Sequence, residues 1–212
     1  MQAPATPHAV PAPLLARAHA LLQAGGRRLL GLVGPPGSGK STLAQALQAA
    51  LPTQSVIVPM DGFHLANAEL QRLGRAGRKG APDTFDSAGY AALLRRLRSQ
   101  PAGETVYAPA YHRDLEEALA GAIAVDAAVP LVITEGNYLL LAEGAWGAVA
   151  ALLDDVGYVD VDPTLRRQRL AQRHQQFGRS AEAAADWVAH TDEPNARLIE
   201  ATRGRAGFVV RV

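Results

Sequence analysis

Cysteine is absent from the 212 residues, which excludes disulfides, thiolate metal sites and cysteine nucleophiles together. Lysine is nearly absent: Lys40 and Lys79 stand against 19 arginines. In a chain that uses arginine wherever any cation suffices, the two exceptions mark places where a compact ammonium is what the site requires. Charge of one sign is lacking in excess as well. The formal net charge is +1 at pH 7, so no global field draws the chain onto nucleic acid or an anionic membrane. No apolar run approaches the length of a bilayer span, and the first residues have neither the basic nor the apolar region of a secretory signal. The expectation is a soluble, cytoplasmic protein, monomer or homodimer, with neither nucleic acid nor membrane as a partner.

What is present suits one good-sized domain with a buried core: 48% of the residues are hydrophobic. Residues 1–13 are rich in Pro and Ala and read as an unfixed tail, leaving 14–212 as a single domain. Leu29 to Val33 is apolar on both faces, the mark of a strand buried in a parallel sheet. Similar runs recur at Val56–Val58, Leu131–Ile133 and Val156–Val161. Helical patterns cover Leu14 to Ala24 and lie near 41–50, 87–99, 143–153, 163–177, 181–190 and 192–203. Strands alternating with helices predict right-handed βαβ units and a doubly wound α/β sandwich, with 65–85 an excursion from the sheet.

The segment Gly34-Pro35-Pro36-Gly37-Ser38-Gly39-Lys40-Ser41 satisfies G-x-x-x-x-G-K-[ST], directly after a buried strand and opening a helix at Thr42. Glycines let backbone N–H groups turn inward around phosphate oxygens, and the helix N-terminus adds partial positive charge. Lys40 reaches the β/γ-phosphates in such a loop and the Ser41 hydroxyl ligates Mg²⁺. A dinucleotide fingerprint fails, because Thr42 occupies its third glycine position. A nucleoside triphosphate is the expected ligand. Neither lysine sits in the N-K-x-D that a GTPase uses to read its base, and the chain is short for a remodelling ATPase. Phosphoryl transfer to a small hydroxyl acceptor remains, and it calls for a base, Mg²⁺ support and cations over the transferring group.

Asp61, in Pro59-Met60-Asp61-Gly62-Phe63-His64, is the candidate base, just past the carboxyl end of a strand where open α/β sheets bind ligands. Gly62 would admit a close approach of substrate. His64 either lines that site or packs under the loop. Glu135 ends the Leu131 strand and is placed to hold Mg²⁺ or its water; Asp160 is a competing acid. Asp162-Pro163 reads as a helix N-cap with Pro at N1. The loop Gly74–Gly80 offers Arg78 and Lys79 to an anionic substrate group, with Arg75 left to solvent. On the helix after Pro163, Arg166, Arg169 and Arg173 share a face with Leu170 and Phe177 while Arg167 points away, which fits a lid closing over phosphates rather than a solvated stripe. Tyr111-His112-Arg113-Asp114 either lines an acceptor pocket or makes a hydrogen-bonded turn.

In this order the motifs resemble the P-loop kinase branch that includes uridine kinase, bacterial pantothenate kinase and phosphoribulokinase. Pro59–His64, Gly77–Asp86 and Asp192-Glu193-Pro194-Asn195-Ala196 are similar to the small kinases often labelled nucleoside/nucleotide kinase or fructose transport system kinase. The resemblance implies a P-loop NTPase three-layer sandwich with a parallel core sheet of five strands and a helical lid, and ATP with Mg²⁺. It implies catalytic roles for Lys40, Asp61, Glu135, Arg169 and Arg173, with Ser41 and Glu135 toward the metal. Nucleotide contacts fall on Gly34 to Thr42 and on Asn195; the expected acceptor contacts, read from the residues rather than from the resemblance, are His64, Arg78, Lys79, Tyr111, Arg113 and Asn137. Pro109-Ala110-Tyr111-His112-Arg113 departs from both the uridine kinase and the pantothenate kinase patterns, so the acceptor cannot be copied from either. The expected activity is an ATP-dependent kinase acting on a hydroxyl of a small polar metabolite, a sugar among them. A nucleoside or pantothenate-type acceptor and an ATP-binding regulator with little turnover are the alternatives.

Overall fold

β1 (Arg28–Val33) is the middle strand because its residues are apolar in both directions. Leu29 and Val33 pack into one buried cluster and Leu30 and Leu32 into another, so the strand's two-residue period feeds a core on each face of the sheet. The computed structural model describes residues 9–212. Its main sheet has β2 (Ser55–Ile57), β5 (Leu131–Gly136), β1, β6 (Asp155–Asp160) and β7 (Phe208–Arg211) in that order, all parallel. One layer holds α1 (Ala12–Gln23) and α2 (Lys40–Ala50), through Leu14, Ala18, Leu43 and Leu47. The opposite layer holds α4 (Ser87–Arg98) and Ile199 of α7 (Glu193–Glu200). A three-layer sandwich results, as expected.

Several boundaries differ from the sequence expectation. Residues 1–8 of the expected tail lie outside the described residues, and α1 starts at Ala12 behind Pro11, with Pro13 tolerated in its first turn where no intrahelical N–H is needed. The pattern at 143–153 is not an α-helix but two short 3₁₀ turns, Gly144–Ala148 and Ala150–Leu152. Two glycines weaken helix there, and a side chain at Gly147 would stand 2.6 Å from the Ala142 carbonyl. The strand β7 and an antiparallel hairpin of β3 (Thr105–His112) and β4 (Glu117–Asp126) are additional. The excursion at 65–85 comprises α3 (Asn67–Arg72) and two 3₁₀ turns.

The hairpin lies over the sheet's carboxyl edge. Its register shifts between Ala108 and Ala110, and at that bulge the Pro109 carbonyl comes so close to Gly62 that a β-carbon there would be 2.3 Å away. The close approach expected at Gly62 is therefore made by the protein's own hairpin, not by substrate. Beyond β6 come α5 (Pro163–Gln176), capped by Asp162 through the Thr164 and Leu165 N–H groups, and α6 (Ala181–Trp187). A single π-turn, Val188–Asp192, joins α6 to α7.

Candidate active site

Parallel registry brings three functional groups to one edge. Glu135 lies beside Leu32 in the ladder, and the phosphate loop leaves β1 one residue after Val33. Asp61 follows β2 on the other side of β5. Because side chains alternate along β5, Glu135 shares its face with Leu131 and Ile133, the face covered by α2. Ser41, in the first turn of α2, donates its hydroxyl to Glu135 Oε1 at 3.0 Å. Thr134 points the other way and is fixed by Tyr90 and the Val58 carbonyl, each at 2.6 Å. These elements open into one cleft of about 630 Å³.

The loop has the features of an anion cradle. Gly37 and Gly39 have φ of +79° and +89°, the left-handed region that glycine enters without strain. Gly37 carries a second constraint: a β-carbon would lie 2.8 Å from Leu170 of α5. The Ser38 hydroxyl is buried beneath the loop beside Gly34, with no partner among the described residues. Lys40 is buried, and among the described residues its ammonium donates only to the Pro35 carbonyl, at 3.1 Å. Burial lowers the Lys40 pKa to about 8 against the opposing pull of Glu135 and Asp61. Burial and the charge of Asp61 push Glu135 above the usual carboxylate range, against Lys40. Two desolvated groups of opposite sign, each short of hydrogen bonds, are poised for a polyanion and a cation respectively.

Glu135 and the Ser41 hydroxyl are the hard oxygen donors that Mg²⁺ prefers, so this pair fits it. Among the described residues no group of three or more acidic or histidine side chains could hold a metal by itself. An ion here would therefore draw its remaining ligands from phosphate and water, as Mg²⁺ commonly does.

Opposite the loop stand Asp61, His64, Lys79, Tyr111, Arg113 and Asn137, all lining the cleft. His64 donates Nδ1–H to the Asp61 carbonyl at 2.8 Å, and its ring lies 4.0 Å from Phe85 and 4.6 Å from Tyr111. Arg113, at the end of the hairpin, reaches to 3.8 Å from the Asp61 carboxylate. Arg169 and Arg173 line the lid side, and burial together with the nearby Arg113 holds Arg173 below its ordinary pKa. Asn195 lies at the far end, buried on α7, while Pro36 and Thr42 complete the phosphate side.

Some expected positions fall elsewhere. Arg78 does not line the cleft; it forks onto exposed Asp83, with Nη2 2.6 Å from Oδ2. Arg75 also turns to Asp83 rather than to solvent. Arg166 is no lid cation: it is 2% exposed and paired with Glu193. Asp160 is bound to Arg203 at 2.8 Å, outside this cleft. Gly34 and Ser38 lie beneath the loop and do not line the cleft, and Pro35 serves Lys40 through its carbonyl. Unforeseen lining residues are Asn67, Glu116, His174, Arg179 and Trp187. His174 follows Arg173 directly, and its Nε2–H donates to Asp192 at 2.8 Å, which the π-turn brings across from α6.

The sequence model of the Phosphoribulokinase / Uridine kinase family matches residues 29–212. The Escherichia coli (strain K12) protein named Uncharacterized protein YggC is 34% identical over 191 residues, covering 88% of this chain and 78% of that protein. The pantothenate kinase of Leifsonia xyli subsp. xyli is 34% identical over 213 residues, covering 86% and 65%. A crystal structure from Silicibacter sp. TM1040, named as a proposed fructose transport system kinase, superposes with a TM-score of 0.83 at 39% identity, covering 93% of this chain and 98% of that one. No helix among the described residues is long and apolar enough to cross a membrane.

Proposed function

Since the chain belongs to the phosphoribulokinase/uridine kinase family, we propose that it transfers the γ-phosphoryl group of ATP to a hydroxyl of a small polar metabolite, with Asp61 as the base. The observation that carries this reading is the meeting of Lys40, the Ser41–Glu135 pair and Asp61 at one edge of the sheet, facing the lid arginines across a single cleft. Lys40 and the loop's N–H groups hold the β/γ-phosphates. Ser41 and Glu135 hold Mg²⁺, which when bound offsets charge on the phosphate oxygens. Asp61 accepts the hydroxyl proton as the acceptor oxygen bonds to the γ-phosphorus and the bond to the bridging oxygen breaks, releasing ADP. Arg113, 3.8 Å from the Asp61 carboxylate, helps to aim it. Arg169 and Arg173 stabilise charge on the group in flight.

Asp61→Asn tests the reading, because it keeps size and most hydrogen bonds but cannot accept the proton. Acceptor-dependent ADP release should fall by roughly 10²–10⁴ while the Kd for ATP changes little. Undiminished transfer would remove Asp61 from the base role. Lost ATP binding would instead make it a ligand on the nucleotide side.

A further inference from the structure

The cleft holds more cations than phosphoryl transfer uses. Lys40, Arg169 and Arg173 surround the phosphate side, Arg179 stacks on Trp187, and Arg113 serves Asp61. Lys79 stands apart, on the acceptor side.

Its setting is built, not loose. The sequence suggested a flexible cationic loop, but the backbone around Lys79 is pinned from several directions. The next residue, Gly80, accepts a hydrogen bond from the Tyr138 hydroxyl through its carbonyl and donates its N–H to Thr84 at 3.0 Å. The ammonium itself donates to Asn67 Oδ1 at 2.6 Å and to the Glu116 carbonyl. It lies 5.3 Å from the centre of the Tyr111 ring, which packs against His64, the neighbour of the proposed base. Both direct partners are neutral oxygens. Glu117, the carboxylate with the larger pull on it, accepts from the Asn67 N–H at 3.0 Å, and Glu116 is exposed to water.

A half-buried ammonium oriented by two neutral oxygens and an aromatic face carries a charge that no contact neutralises. Several cations outside the cleft are arginines paired with carboxylates, as in Arg78–Asp83, Arg72–Glu69 and Arg203–Asp160, while Arg27 and Arg205 bond neutral oxygens. On the acceptor side of the cleft, Lys79 has no carboxylate partner among the described residues.

We propose that the phosphoryl acceptor is itself an anion, a hydroxy compound bearing a carboxylate or phosphate ester that Lys79 holds while the hydroxyl is presented to Asp61. The inference rests on the kinase reading above and narrows it: uncharged nucleosides and free sugars are excluded as the preferred acceptors. Lys79, the Tyr111 ring, the His64 ring and the Asp61 backbone stand in successive contact, so the anionic group and the reacting hydroxyl occupy different parts of the acceptor.

The test is a titration of the protein saturated with ADP and Mg²⁺, which keeps the phosphate loop filled so that added anions report only on the acceptor side. The calorimetric probes are two sets matched except for charge: glycerol with glycerate and glycerol 3-phosphate, and ribose with ribose 5-phosphate. At least one charged probe should bind and its uncharged partner should not. Glycerate against glycerol 3-phosphate separates carboxylate from phosphate. Lys79→Gln should weaken that binding roughly ten- to hundredfold, the weight of one charge-assisted contact, with the Kd for ADP unchanged. Lys79→Arg, which keeps the charge, should retain most of it. Equal binding of charged and uncharged partners, binding by none of the charged probes, or indifference to Lys79→Gln each overturns the proposal. A Lys79→Gln variant that only melts earlier, with probe binding intact, makes Lys79 a loop tether and overturns it too. Failure of the unchanged protein to bind ADP or ATP would count against the kinase reading instead.

Discussion

Lys40 concentrates the electrostatics of the site in one proton. In the free protein burial brings its pKa down to about 8. Phosphate oxygens brought against the ammonium favour its charged form, so the bound-state pKa lies higher. Nucleotide binding is thus linked to proton uptake between the two values. Affinity for ADP and ATP should be level below pH 8 and fall as pH rises beyond it. Calorimetry near pH 8 in buffers of different ionisation enthalpy should register the proton taken up, and Lys40→Ala should abolish that uptake and weaken ATP far more than AMP. A pH-independent affinity up to pH 9.5 would show that the ammonium does not face the phosphates.

At the scale of elements, α5 does two jobs that sequence periodicity could not separate. Arg166, Arg169 and Arg173 share one face, yet only the latter two line the cleft. Arg166 packs against Gly37 and pairs with Glu193, tying the lid helix to α7, which carries Asn195. His174–Asp192 makes a second tie to the same segment. The predictions differ accordingly. Arg169→Ala with Arg173→Ala should lower kcat by roughly 10²–10³, the weight of removing charge-stabilising donors, and leave the melting temperature nearly unchanged. The Kd for ATP should move much less than kcat. Glu193→Gln should do the reverse. It strands a buried guanidinium, one nitrogen of which already lacks a partner, and should cost about 3 kcal/mol in chemical denaturation. Arg166→Met added to Glu193→Gln should recover much of that loss, because no buried charge is then left unpaired. If the double variant is no more stable than Glu193→Gln, the burial reading of Arg166 fails.

Across the whole molecule, the sheet separates two cores that share no side chains. Leu47 of α2 belongs to one and Leu94 of α4 to the other, and both are fully buried. Each Leu→Ala change should cost about 2–5 kcal/mol. With the sheet between them the two losses should add to within about 0.5 kcal/mol, while unfolding stays a single transition. A coupling well above that, measured by denaturant titration of the double variant, would mean that the layers relax into one another.

The sequence alone determined the parts whose physics is local. A buried parallel strand needs apolar residues on both faces, so Leu29–Val33 and Leu131–Ile133 announce themselves. A phosphate loop needs glycines, Lys and Ser at set spacings between a strand and a helix, so Gly34–Ser41 does too. An acid just past a strand can only stand at the carboxyl edge, which placed Asp61 and Glu135. The fifth strand was foreseen only through family resemblance, since Phe208–Arg211 is too short to stand out. The hairpin escaped because Pro109 interrupts β3 and alanines fill β4, giving little intrinsic preference for strand; Val106 and Ala108 facing inward were the available sign. Only the tertiary structure decided the partners of the cations. Arg78 and Lys79 are adjacent, and Arg166 and Arg169 share a helix face. Yet one of each pair is neutralised by a carboxylate while the other lines the cleft, Arg78 through Asp83 five residues on and Arg166 through Glu193 of α7. A guanidinium's role depends on which anion reaches it, and that is settled by how the chain folds back, over five residues for Arg78 and between two helices for Arg166.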